Sequence, residues 1–335
     1  MTITLDLGNQ AYNIIIEKGI LCRLKDYIPT EEKTLIVTDS GVPKEYSQIV
    51  GGNFSNPFYF TFKKGENSKN YKTYQRILKF MLDNGFTRKD RVIAVGGGVV
   101  GDLSGFVAST YMRGIDFYNI PTTFLSQVDS SIGGKVAIDF GGVKNSVGAF
   151  YQPKGVFIDT EVLASLSDRL LYSGLVESIK MASTSDRELF DIIENSSDIR
   201  KDAQSIIYRS LLIKKQVVEQ DEKESGLRRV LNFGHTIGHA IESFYKGKLY
   251  HGECVGLGML SLCSEQVSER IAKLLKKYNL PTSIKANPQK LQQLVWHDKK
   301  AESNHVVGVF VSEIGKFEFT NLENQDICKL TEKFR

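Results

Sequence analysis

The sequence predicts an α/β amino-terminal domain built on a mostly parallel, Rossmann-like sheet, followed by an all-helical carboxy-terminal domain. Three observations carry that expectation. Up to about residue 160, short apolar runs alternate with helical periods, the βαβ pattern of a parallel sheet covered by helices. Beyond it the periodicity is almost wholly helical. Two residue types are also unevenly placed. Eleven of the 29 glycines fall between Gly96 and Gly148, where an even spread would place four or five, and three of the five histidines lie between His235 and His251. A chain of 335 residues suits two domains of roughly 100–200 residues each. The boundary is set at 1–160 and 161–335.

The elements follow in order. Residues 2–7 and 11–17 flank Gly8-Asn9-Gln10 and read as a hairpin. Leu35–Val37 is a short apolar strand ending at Thr38-Asp39-Ser40-Gly41, and Phe58–Phe62 is a second extended run. Tyr74, Ile77, Leu78 and Met81 lie at helical spacing before Asn84-Gly85, so 71–82 reads as a helix. Arg91–Val95 is a strand, Gly96–Asp102 a glycine turn, and the stretch to Met112 a helix. Phe117–Ile120 and Val156–Ile158 complete the α/β pattern. Helices are then expected at 169–184, 188–194, 203–218, 234–244 and 255–278, with extended runs only at 305–311 and 316–319.

Composition excludes several classes. The chain is 41% hydrophobic and 24% charged, with a mean hydropathy of −0.20, which removes disorder and fibrous repeats. No apolar run approaches the ~18 residues of a membrane span. The amino-terminus lacks a basic leader and reads as a strand, so a cytoplasmic protein is expected. Cys22, Cys254, Cys263 and Cys328 show no C-x-x-C spacing and read as thiols of a reducing compartment. A net charge of +4 is too mild for a nucleic-acid binder, so neither nucleic acid nor membrane is an expected partner.

Gly96-x-Gly98-x-x-Gly101 follows a strand and opens a helix. That context suits a pyrophosphate, because glycines admit the ligand close to the backbone and the helix start offers N–H donors. A turn that merely packs helix on sheet would look the same. Asp39, at a strand end, has the chemistry to accept from ribose hydroxyls, and equally that of a turn residue beside Ser-Gly. The glycine, lysine and hydroxyl residues of 128–135 and 141–145 read as loops suited to a phosphorylated or polyhydroxylated ligand, or as solvated loops.

In Leu231–Glu242 the spacing i, i+4, i+7 puts His235, His239 and Glu242 on one helical face, with glycines that keep it open to a ligand. Two histidines at i, i+4 are a candidate metal chelate, and His251 follows closely. An open zinc site needs about three N/O ligands. Glu177 is a candidate for the third, with Lys180 one turn along. By itself that Glu–Lys pair also reads as a surface ion pair.

Taken together, the segments 96–114, 121–139, 144–153, 231–242 and 251–253 resemble the 3-dehydroquinate synthase family, in the right order and over nearly the whole chain. The resemblance implies a dehydroquinate synthase-like fold, a catalytic NAD⁺ and a divalent metal, zinc or cobalt. It implies conversion of 3-deoxy-D-arabino-heptulosonate 7-phosphate into 3-dehydroquinate and phosphate, in the shikimate pathway, by oxidation, β-elimination, re-reduction, ring opening and aldol closure. Domain 1–160 would bind NAD and 161–335 metal and substrate.

By the same resemblance Glu177, His235 and His251 are metal ligands, and His239 contacts substrate. Lys135, Lys180, Lys214, Arg228 and Asn232 join His239 as catalytic residues. Asp129, Asn145, Lys299 and Arg113 bind substrate, with Arg113 reaching across a homodimer interface. Asp39, Glu66, Lys69, Gly97, Gly98, Val99, Asp102, Thr122, Thr123 and Lys144 bind NAD. Tyr250 departs from the family's usual leucine. A sibling sugar-phosphate cyclase, such as 2-deoxy-scyllo-inosose synthase, and a metal-dependent polyol dehydrogenase are the competing readings.

Overall fold

The computed structural model describes residues 1–224, 226–298 and 305–334. Contacts divide the chain into two compact units, Met1–Leu166 and Ser167–Arg335.

The amino-terminal unit contains β1 (Thr2–Leu5), β2 (Tyr12–Ile16), β3 (Lys33–Asp39), α1 (Lys44–Gly51), β4 (Asn56–Phe62), α2 (Tyr71–Asp83), β5 (Arg91–Gly96), α3 (Gly98–Thr110), β6 (Asp116–Pro121), β7 (Lys135–Phe140), β8 (Val143–Phe150) and β9 (Gly155–Ile158). Seven strands form one sheet in the order β1-β2-β9-β6-β5-β3-β4, with only the β1–β2 pair antiparallel. Burial explains why these runs are strands. Leu35, Val37, Val92 and Ala94 face a core shared with Ile77 and Met81 of α2 and Leu103 of α3. Their alternates Ile36, Ile93 and Val95 face the opposite core, with Val50 of α1. Both faces are covered, so the strands are apolar on both sides, as a parallel sheet requires.

The topology locates a ligand crevice. The chain leaves β3 for its outer neighbour β4, but leaves β5 in the other direction for β6. Strand order therefore reverses between β3 and β5, and open α/β sheets bind ligands at the carboxyl ends flanking such a reversal. Asp39 ends β3, and Gly97 and Gly98 follow β5.

Of the loops expected at 128–135 and 141–145, the second is partly ribbon, because residues 135–150 pair as strands. They form a β-ribbon, with β7 and β8 antiparallel and Gly141 and Gly142 turning at φ 61° and 80°. Val136 and Ile138 point into the core beside α3, whereas Val143–Gly148 are exposed.

The carboxy-terminal unit contains α4 (Asp168–Ser185), α5 (Arg187–Asn195), α6 (Ile199–Gln220), α7 (His235–Tyr245), α8 (His251–Met259), α9 (Glu265–Lys277), α10 (Pro288–Asp298), β10 (Val306–Glu313), β11 (Lys316–Leu322) and α11 (Asn324–Glu332). It is mainly helical, and the two late extended runs pair as an antiparallel hairpin. Side chains start several helices: Ser167, Asp186 and Asp198 accept from backbone N–H groups at the starts of α4, α5 and α6. The expected single helix over 255–278 is two. It breaks after Met259, and Ser264 caps the restart by accepting from Val267 N. Helix α10 was not anticipated, although Asn287-Pro288 carries its start signal and Asn287 Oδ1 accepts from Lys290 N at 2.9 Å. Among the described residues no helix is long and apolar enough to cross a membrane.

Candidate active site

In the carboxy-terminal unit the polar cluster is assembled from α4, α7 and α8. Glycines let these helices approach. A Cβ on Gly252 would lie 1.8 Å from Ser173 O of α4, and one on Gly258 would lie 2.0 Å from Gly234 O at the start of α7. Gly238, between the two histidines of α7, would strike Cys254 O and the Val255 backbone at 3.0 Å. It serves helix–helix packing, which corrects the expectation that the glycines keep this face open to a ligand.

That close packing gathers the predicted residues. Ring centroids of His235 and His239 are 5.2 Å apart, as are those of His235 and His251, and the imidazole nitrogens of all three lie within 4.8 Å of one another. Glu177 Oε1 is 3.7 Å from His235 Nε2 and 3.5 Å from His251 Nε2. Both separations are longer than a well-formed hydrogen bond. Lys180 Nζ is ion-paired to Oε2. Glu177 is wholly buried and Lys180 is 2% exposed, so the surface-pair reading of these two fails.

The charge states follow from this geometry. Burial opposes ionisation of Glu177, but the neighbouring charges, led by the Lys180 ammonium, outweigh it and hold the carboxyl well below its usual range. Burial, reinforced by Lys180, keeps His235 neutral by depressing its pKa well below 6.5. His235 Nδ1 lies 3.2 Å from Phe233 O, which only accepts, so Nδ1 carries the proton and Nε2 presents a lone pair toward Glu177. Burial also disfavours the His251 imidazolium, yet the carboxylates of Glu177 and Glu242 raise its pKa to about 9. Its Nδ1 is 3.0 Å from Glu242 Oε2, leaving Nε2 toward Glu177.

Apart from the Lys180 ion pair at Oε2, neither Glu177 oxygen accepts a hydrogen bond among the described residues. A buried carboxylate whose Oε1 has no donor, facing two imidazole nitrogens whose far sides are held by acceptors, is a donor set that fits a divalent metal.

In the same unit Lys214 of α6 is buried. Arg228 is buried in the turn before α7, its backbone N–H donating to Asp221 Oδ2 at 2.9 Å and its guanidinium to Glu222 O. Asn232 Nδ2 donates to Glu224 Oε1 at 2.8 Å, and Glu224 holds a left-handed φ of 62°. Glu224 was not singled out from the sequence, and its unusual backbone has no local signature. The expected substrate residue Lys299 lies outside the described residues.

In the amino-terminal unit Gly97 is the N-cap of α3 and, being glycine, supplies no side-chain capping hydrogen bond. Cβ atoms on Gly97 and Gly98 would come 3.0 Å from Thr123 Cγ2 and 3.1 Å from Ser130 Oγ. Gly96 and Gly105, in contrast, are filled by Val100 and Val136, so part of the glycine window is packing alone. Thr122 is buried and donates its backbone N–H to Gly96 O at 3.0 Å. Val99 lies in the first turn of α3 and Asp129 in a π-turn after β6. Asp39 Oδ1 accepts from Gly41 N at 2.6 Å, its turn role, at the mouth of the crevice.

Lys69 is buried, and its ammonium meets Asn145 Oδ1 at 2.6 Å, Glu66 at 3.0 Å and Asp102 at 3.2 Å. Burial raises the Asp102 pKa to about 6 despite Lys69. Asn145 sits on β8 at φ 53°, its N–H donating to Asp139 Oδ1. Lys135 and Lys144 are exposed on the ribbon. Arg113 is exposed in a turn where Met112, Arg113 and Gly114 all have positive φ.

An α/β sheet with an uncapped glycine turn at its reversal, and a helical unit with a His/Glu metal-type cluster, define a class of two-part, cofactor-type enzymes. Sequence profiles identify the member. The 3-dehydroquinate synthase N-terminal model matches residues 59–173 and the C-terminal model residues 174–301. The 3-dehydroquinate synthase of Clostridium acetobutylicum is 40% identical, covering 98% of both chains. Among solved structures, 2-deoxy-scyllo-inosose synthase complexed with carbaglucose-6-phosphate, NAD⁺ and Co²⁺ superposes with a TM-score of 0.90 at 25% identity over 100% of both chains. The 2-epi-5-epi-valiolone synthase of Streptomyces hygroscopicus, with NAD⁺ and Zn²⁺ bound, gives 0.88 at 25% identity over 98% of both. The chain belongs to the 3-dehydroquinate synthase family and is an enzyme of the carbon–oxygen lyase class.

Proposed function

We propose that this chain converts 3-deoxy-D-arabino-heptulosonate 7-phosphate into 3-dehydroquinate and phosphate, in the cytoplasm, as the shikimate-pathway enzyme of its family. The observation that carries the reading is the convergence of Glu177 Oε1 with His235 Nε2 and His251 Nε2. Those three residues would hold the divalent metal, zinc or cobalt. When bound, NAD⁺ supplies hydride uptake and return at one carbon, and the metal supplies Lewis acidity toward the neighbouring oxygens.

The chain's own residues do the rest. Lys180, Lys214 and Arg228 are all buried cations, and together they suit a substrate carboxylate. His239, beside the proposed metal ligands, and Asn232, held by Glu224, would contact the departing phosphate. Lys135 adds positive charge for that phosphate from the ribbon, while Asp129, Asn145 and Lys299 suit substrate hydroxyls. For NAD⁺, the N-terminus of α3 with Gly97, Gly98 and Val99 would take the pyrophosphate. Asp39, Glu66, Lys69, Asp102, Thr122, Thr123 and Lys144 would bind the rest of the cofactor.

A homodimer completes the proposal, with Arg113 reaching the partner's phosphate site. Its support is the exposed apolar ribbon of Phe140, Val143, Val147 and Phe150 and the strained turn that presents Arg113. The test is purified protein with the heptulosonate phosphate, NAD⁺ and zinc or cobalt, its mass followed by sedimentation. Phosphate release without net NADH is expected from a dimer. Stoichiometric NADH would mean a dehydrogenase, turnover of glucose 6-phosphate alone a sibling cyclase, and an active monomer would remove the Arg113 assignment.

A further inference from the structure

The backbone of the His251 segment is fixed independently of the imidazole. Glu253, buried in the first turn of α8, accepts from Tyr250 N at 2.7 Å through Oε2. Both its oxygens take the Arg169 guanidinium, at 2.7 and 2.8 Å. Arg169 in turn covers the Tyr250 ring at 4.6 Å, and Gly252 packs against Ser173. None of these contacts sets the rotation of the His251 side chain. The ring is 31% exposed and reaches Glu177 only at 3.5 Å, a distance that tolerates rotation.

Glu242 meets that need. It lies on α7 one turn after His239, and its Oε2 is 3.0 Å from His251 Nδ1. A carboxylate only accepts, so in the neutral ring that a metal ligand must be, the contact keeps the proton on Nδ1 and points the Nε2 lone pair into the cluster. It differs from the equivalent contact on His235, where the acceptor is a neutral backbone carbonyl. A charged acceptor makes the far nitrogen a better donor to a cation than a neutral one does.

We propose that Glu242 is a positioning residue for the metal site: it fixes the tautomer and aim of His251 and strengthens its hold on a divalent cation. This rests on the reading of Glu177, His235 and His251 as metal ligands. The experiment measures zinc affinity by chelator competition, and the visible absorption of added cobalt, in the wild-type chain and in His251→Ala, Glu242→Ala and Glu242→Gln. Glu242→Ala should bind zinc about 10–100-fold more weakly, with altered cobalt bands. Glu242→Gln keeps an acceptor but not the charge, and should lose less. Wild-type affinity and cobalt bands in Glu242→Ala would overturn the proposal. If that variant fails to fold, unchanged affinity and bands in Glu242→Gln overturn it. Wild-type affinity in His251→Ala would instead overturn the ligand reading itself.

Discussion

The two polar clusters of this chain are built on opposite plans. In the carboxy-terminal unit Glu177, His235 and His251 come from three helices whose backbones touch through Gly234, Gly252 and Gly258, and the central carboxylate is wholly buried. In the amino-terminal unit the candidate cofactor residues stand at strand ends, on a helix start and along an exposed ribbon, and of them only Lys69 and Thr122 are buried. The first cluster is held rigid by helix packing. The second is a more open set of groups contributed one by one from strand ends, a helix start and a ribbon. A rigid cluster suits a metal, which tolerates little error in ligand geometry. A surface suits a long dinucleotide, which collects many modest contacts.

That contrast predicts very different costs of substitution. The largest belongs to Glu177→Ala. It leaves Lys180 buried at 2% exposure without its partner, and an unpaired buried charge costs about 3–5 kcal/mol. The urea midpoint should fall accordingly, and zinc binding and turnover should disappear together. A variant as stable as the wild type would show that the buried pair does not hold the cluster. Next is Gly252→Ala, whose new methyl group would lie 1.8 Å from Ser173 O. Helices α4 and α8, which carry Glu177 and His251, must separate, at a cost of about 1–3 kcal/mol. Turnover should fall far more than that stability loss implies, while NAD⁺ affinity stays. Equal losses in both would mean the two clusters are not independent.

The same contrast decides what was legible in the sequence. The Gly96–Gly101 turn and the α7 histidines were readable because their signals are local: a strand running into glycines, and a spacing of four on one helix. Burial of Glu177 and Lys180 was not readable, because a Glu–Lys pair three residues apart looks the same on a surface. Only the packing of α4 against α8 separates the cases. The Glu242–His251 contact was hidden for a related reason, since Glu242 faces His251 only after α7 and α8 pack. The ribbon strands were not readable in the sequence because Gly133, Gly134, Gly141 and Gly142 flank the alternation of Val136, Ile138 and Phe140, and only the glycine segments 128–135 and 141–145 stood out, as loops. The break before α9 did carry a local signal, Ser264 before Glu265, but unbroken helical periodicity on either side outweighed it.

The smallest effect probes the surface cluster through pH. Burial raises the Asp102 pKa from 3.8 to about 6, against the pull of Lys69. A carboxyl whose folded pKa lies above its unfolded one binds its proton more tightly when folded. Ionising it therefore costs stability, progressively as pH rises from about 4 to about 6, and the cost is constant above that. Asp102→Asn removes the titration. It should raise stability at pH 7 by on the order of 1 kcal/mol, since partial exposure lets solvent screen the charge, and the gain should vanish below about pH 4. NAD⁺ affinity should move the other way. The wild type should bind NAD⁺ more weakly as pH falls through 6 and the Lys69 contact is lost, and Asp102→Asn should bind weakly at every pH. Melting curves and NAD⁺ titrations at pH 4, 5, 6 and 7 read both. A variant less stable than the wild type at pH 7 would mean that the Lys69 pairing outweighs burial. The Lys69 node would then be a preformed element like the helical cluster, and the distinction between the two regions would narrow to the ribbon and the strand ends.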